Sequence, residues 1–106
     1  MVQQLKDEEL DAFVLEHDIV LLDIFTTWCG PCKRQAAVLE EVAKEVNPKQ
    51  VAIVKMDADE CREASTRFKV TAIPTLVIFK KGKPVKSRVG LTEKADLLKE
   101  LAALKK

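Results

Sequence analysis
At 106 residues the chain has room for one domain, residues 1–106, with a hydrophobic core that needs no staples. Hydrophobic residues make up 47% and charged residues 33%, a balance that excludes a disordered chain. The formal net charge is +1, lysines and acids are interspersed, and no basic stripe carries aromatics, which argues against nucleic acid as the main partner.

Three cysteines are odd in number and too few for a secreted disulfide scaffold. The stretch from Met1 to Glu9 lacks an apolar signal core, and no apolar run approaches bilayer length. The expectation is a cytoplasmic protein with no membrane contact.

In chain order, Val2 to Leu5 reads as a short edge strand. Asp7 is placed to N-cap a first helix whose stripe is Leu10, Phe13 and Val14. His17 falls near its end, where a histidine is usually a dipole partner or a solvated residue. Ile19 to Phe25 is apolar on both faces except at Asp23, the pattern of a buried central strand. Cys32, Ala36, Leu39, Ala43 and Val46 then recur at helical spacing, so a helix is expected over Cys32 to Val46, with Asn47-Pro48 ending it. Val51 to Met56 is the next strand, and strand–helix–strand implies a right-handed crossover with parallel pairing. Asp57 to Glu60 opens a short helix that Arg62 to Phe68 completes. Thr75 to Phe79 is a second buried strand, Lys80 to Pro84 a turn, and Val85 to Val89 a half-exposed edge strand. Those two strands form an antiparallel hairpin. Thr92-Glu93 opens a last helix with Leu97, Leu98, Leu101 and Leu104 inward. The fold class is α/β: a mixed sheet with helices on both faces.

Two thiols lie where the central strand feeds the second helix. Cys32 is on the helix's core stripe, while Cys29 sits one turn earlier, at the open mouth. Free backbone N–H groups there, with Lys33 and Arg34 following, favour the Cys29 thiolate, and Cys32 is expected to stay protonated. Pro31 suits a first helical turn. An exposed nucleophile with a shielded resolving partner is what thiol–disulfide exchange requires. An inert structural disulfide would gain little from so short a loop. A structural zinc needs four ligands, and only Cys61 and His17 are available as further ones. Asp23, buried among apolar neighbours, should ionise reluctantly; it is either a base for Cys32 or a charge paired with Lys55 on the adjacent strand. Cys61 is an ordinary residue or, at a helix N-terminus, a regulatory thiol.

Trp28-Cys29-Gly30-Pro31-Cys32-Lys33, with Asp23 upstream and Ile73-Pro74-Thr75 downstream, resembles the thioredoxin family along essentially the whole chain. The resemblance implies a five-stranded mixed sheet flanked by four helices. It implies a general protein-disulfide reductase in which Cys29 attacks and Cys32 resolves, with no bound cofactor. Asp23 would be the base, and Lys55 matches the family beside it. A cis Ile73–Pro74 bond would pack next to the thiols. Trp28, Gly30, Pro31, Ile73, Pro74, Gly90 and Leu91 would form the docking surface around Cys29. Electrons would come from a partner such as thioredoxin reductase, substrates would be protein disulfides, and the chain would be a monomer.

Rival readings are an oxidant or isomerase, a binding module with an incidental dithiol, and a metal or iron–sulfur carrier. The chain departs from the family pattern at Ala37, where a helix-bending Pro is usual, at Phe25, where a Trp is common, and at Arg34, a second positive charge after Cys32. These leave the redox potential open.

Overall fold
In the computed structural model, which describes residues 2–105, one five-stranded sheet carries the molecule. The elements in order are β1 (Gln3–Gln4), a 3-10 turn (Asp7–Glu9), α1 (Leu10–Glu16), β2 (Ile19–Phe25), α2 (Gly30–Glu45), β3 (Val51–Asp57), α3 (Arg62–Arg67), β4 (Thr75–Lys80), β5 (Lys83–Val89) and α4 (Lys94–Leu104). The strand order is β1-β3-β2-β4-β5. β2 pairs parallel with β3 on one edge and antiparallel with β4 on the other, and both of its faces are apolar because helices cover both.

The period of two along β2 divides the core. Val20, Leu22 and Ile24 join Leu10, Val14, Ala64, Met56 and Phe79 beneath α1 and α3. Ile19 and Leu21 join Leu39, Val42, Leu97 and Leu101 beneath α2 and α4. Asp23 has the parity of Ile19 and Leu21, so the strand's single carboxylate is on the face that α2 covers. Lys55 is its register partner on β3.

Several boundaries differ from the sequence expectation. β1 is only two residues long, although Leu5 N–H still donates to Lys55 C=O at 2.8 Å. Asp7 is not the N-cap of the first helix; it lies inside the 3-10 turn, whose cap position is Lys6, and the N-cap of α1 is Glu9. The Asp7 carboxylate instead accepts from Glu63 N–H at 3.1 Å and Ala64 N–H at 3.0 Å, capping α3 from across the fold. Asp57 does not open the third helix; it is the last residue of β3 and is buried. Its carbonyl accepts from Glu60 and Cys61 N–H in the turn that precedes α3. β5 begins at Lys83 and includes Pro84, and apart from Arg88 its residues are exposed. An irregularity in the ladder opposite Ile78 and Phe79 accommodates the proline. Lys81-Gly82 makes the hairpin turn, and both residues have positive φ.

Candidate active site
α2 starts two residues before the sequence pattern indicated, because the periodic stripe begins at Cys32 whereas the helix begins at its cap. Cys29 is that cap. Its Sγ accepts from Cys32 N–H at 3.2 Å, one of the donors that a helix start leaves unpaired, and Pro31 fills the first turn. The cysteines' Cα atoms are 5.3 Å apart and their sulfurs are at bonding distance, so the pair is described as the disulfide.

Neither sulfur-bearing residue is openly exposed. Cys29 retains 6% of its accessible surface and Cys32 3%, so the open-mouth picture of Cys29 needs correction. What is open is the surround. Trp28 is 70% exposed, Gly30 and Pro31 are exposed, and Ile73, Gly90 and Leu91 are half-buried. Pro74 is buried behind them, and the Ile73–Pro74 bond is cis. Cys29 Sγ stands 3.8 Å from the Ile73 carbonyl oxygen. Gly90 N–H donates to Pro74 C=O at 2.8 Å, joining the loop after β5 to the segment before β4. Gly90 needs its φ of +88° to make that turn. Trp28 Nε1 donates to Asp59 Oδ2 at 2.9 Å, so the exposed indole is held in place. From the sequence, Asp59 reads only as one of the acids near Cys61, with no link to Trp28.

Behind the disulfide is a cleft of about 240 Å³ lined by Asp23, Phe25, Thr26, Thr27, Cys32, Lys33, Ala36 and Lys55. Burial pushes the Asp23 carboxyl up to about 7, with Lys55 pulling it partly back. Among the described residues, Asp23 Oδ1 and Thr26 Oγ1 find no hydrogen-bond partner. The alternative of an Asp23–Lys55 ion pair is not realised: Lys55 Nζ lies 5.5 Å above the Phe25 ring centroid and acts on Asp23 through its field. Phe25, the departure from a family Trp, thus provides the face on which Lys55 rests.

The buried stripe of α2 is Cys32, Gln35, Leu39 and Val42. Ala36, Ala43 and Val46 are only half-buried, so the expected stripe is rotated slightly off the true one. The helix runs unbroken through Ala37, which is exposed. Gln35 is a buried amide on this stripe, and apolar periodicity does not mark it.

Cys61 is buried at the cap position of α3, with its Sγ 3.7 Å from Leu5 C=O. Burial, reinforced by the negative charges of Asp7, Glu60 and Asp57, raises its thiol above the usual range, which disfavours a thiolate at this helix start. His17 stacks on Phe13 at 4.2 Å, and its Nδ1 is 2.8 Å from Phe13 C=O.

A disulfide capping a helix, with a reluctant carboxylate behind it and a tethered, partly apolar surface before it, can accept two electrons and exchange with an external thiol pair. A family model described as Thioredoxin matches residues 1–103. The chain is 49% identical over 83 residues to a thioredoxin of Mycobacterium tuberculosis, covering 78% of this chain and 71% of that one. It is 47% identical over 83 residues to the bifunctional thioredoxin reductase/thioredoxin of Mycobacterium leprae, covering 78% of this chain and 18% of the longer protein. Among solved structures, a mutant thioredoxin from Halobacterium salinarum superposes with a TM-score of 0.90 at 30% identity, covering 98% of this chain and 90% of that one.

Proposed function
This chain belongs to the thioredoxin family, and on that premise we propose how its disulfide-reductase activity runs. It is a thiol–disulfide oxidoreductase, with Cys29 and Cys32 as its cysteine pair. In the reduced protein the Cys29 thiolate attacks one sulfur of a substrate disulfide. The substrate S–S bond breaks, a mixed disulfide forms, and one substrate thiolate leaves. Asp23 then takes the proton from Cys32, whose thiolate attacks Cys29 Sγ and expels the second substrate thiolate. Two electrons have passed to the substrate, and the Cys29–Cys32 disulfide remains.

The observation that carries this division of roles is the hydrogen bond from Cys32 N–H to Cys29 Sγ. The sulfur at the helix cap has a donor waiting for its negative charge, whereas Cys32 lines the cleft with Asp23. A carboxyl held near 7 can both accept and return a proton at neutral pH. Lys55 tunes that carboxyl through its field. Trp28, Gly30, Pro31, Ile73, Pro74, Gly90 and Leu91 form the face on which protein disulfides dock, and the Ile73 backbone beside Cys29 pairs with an extended substrate segment.

The cycle uses two side-chain thiols and needs no bound cofactor. A separate thioredoxin reductase returns the electrons, a reading supported by the fused reductase in the Mycobacterium leprae relative. The chain then serves as an electron carrier between that reductase and protein disulfides. We place it in the cytoplasm, a reading supported by its odd and low cysteine count, and read it as a monomer; no helix among the described residues is long and apolar enough to cross a membrane.

Limited alkylation of the reduced protein at neutral pH tests the roles. Cys29 should be modified first, and Cys32→Ser should accumulate a mixed disulfide that Cys29→Ser does not form. Preferential labelling of Cys32 would overturn the assignment.

A further inference from the structure
Gln35 is fully buried on α2, one turn past Cys32, in a stripe otherwise formed by apolar side chains and Cys32 itself. Its Nε2 donates to Thr92 C=O at 3.0 Å, and its Oε1 accepts from Thr92 N–H at 2.8 Å. Both bonds go to the backbone of a single residue. A side-chain amide carries donor and acceptor on one carbon, so two such bonds fix the orientation of the Thr92 backbone as well as its distance.

The flanks of Thr92 are anchored too. Arg34, beside Gln35 on α2, reaches Glu93 at 3.0 Å. On the other side Gly90 N–H is held by Pro74 C=O. Leu91 lies between Gly90 and Thr92, both of which are held. The path runs from the cysteine-bearing helix through Gln35 to Thr92, back through Gly90 to Pro74, and on to the Ile73 carbonyl beside Cys29 Sγ.

Packing of α2 against α4 does not require an amide here, since Leu39, Val42, Leu97 and Leu101 already fill that interface. A buried amide is costly unless both ends are paired, and this one is paired only with the loop.

We propose that Gln35 is a positioning residue for substrate docking, holding Gly90–Thr92 in register with Ile73–Pro74 so that an incoming extended segment meets a preformed surface. This rests on the reading of Gly90 and Leu91 as docking residues. Loop order lowers the cost of binding without touching the sulfurs, so its loss belongs in KM and not in thiol reactivity.

The test measures insulin reduction by the protein kept reduced with dithiothreitol, against reaction with hydroxyethyl disulfide, which is too small to use the loop. Gln35→Met keeps the volume and removes both bonds. Its KM for insulin should rise about 3- to 10-fold, with kcat and the small-disulfide rate within about 2-fold of wild type. An unchanged KM, or an equal loss with both disulfides, would overturn the proposal. Leu91→Ala separates it from its premise. If Leu91→Ala leaves KM unchanged, the docking reading fails. If Leu91→Ala raises KM and Gln35→Met does not, only the positioning role fails. Should Gln35→Met not fold, amide exchange on the wild type decides. A Thr92 N–H held by Gln35 should exchange at least about 100-fold slower than an open loop amide, and an unprotected Thr92 would overturn the inference.

Discussion

Asp23 ionises reluctantly because folding takes its carboxyl out of water, and that has a sign for stability. Its folded value of about 7 stands above the ordinary 3.8, so the contribution to stability is complete below the ordinary value. It is lost as pH rises from there through the folded value. At 1.36 kcal/mol per pH unit, that interval amounts to a loss on the order of 4 kcal/mol. Urea unfolding of the oxidised protein at about pH 4 and about pH 8 should show the decline in wild type and a flattened profile in Asp23→Asn. A mutant that keeps the wild-type slope would mean that another group carries it. Lys55 supplies the opposing pull, so Lys55→Met should move the Asp23 titration upward. Carboxyl-carbon NMR of the oxidised protein reads this directly, and an unmoved midpoint would show that the Lys55 field does not reach Asp23.

Among the elements, α3 depends most visibly on a residue outside itself. It has six residues, too few for independent helicity, and its first N–H groups at Glu63 and Ala64 are satisfied by Asp7. Asp7→Ala should cost about 1–2 kcal/mol in urea unfolding. The Glu63 and Ala64 amides should lose exchange protection before the sheet does; equal loss everywhere would mean that Asp7 acts on the whole fold and not as a cap. The sequence could not reveal this contact, because Asp7 and Glu63 are 56 positions apart. The same separation hides Gln35 from Thr92, 57 positions away, and Trp28 from Asp59, 31 away. β2, β3 and β4 were legible as short, largely apolar runs and α2 as a helical period, because each writes its burial into consecutive residues. The disulfide site was legible because both cysteines and their helix start lie within four consecutive residues. Side chains that fasten one element to another follow no period, so Asp7, Asp59 and Gln35 emerge only once the elements have packed.

For the molecule as a whole, two carboxyls set opposing slopes. Glu100 on α4 is held by Arg88 at 2.7 Å and Lys86 at 2.8 Å from β5, which lowers it below the usual range. Its contribution is present above the unfolded value and lost as pH falls through the folded one, opposite to Asp23. The pair therefore favours a stability maximum on the acid side of neutrality, and a thermal scan across pH that peaked above neutrality would contradict it. Most other ion pairs, such as Arg67–Asp11 and Lys44–Glu41, are exposed, so added salt should shift the midpoint little. The sheet also gives the molecule two distinct ends. β2 and β3 run parallel from Ile19 and Val51 to Phe25 and Asp57, so the cysteines lie about 20 Å from the exposed turn at Asn47, Pro48, Lys49 and Gln50. For anyone fixing this protein to a bead or an electrode, that turn is the natural handle. A linker at Lys49 would leave every copy standing with Trp28 and Cys29 facing the solution, whereas one at Lys33 would set the working end against the support.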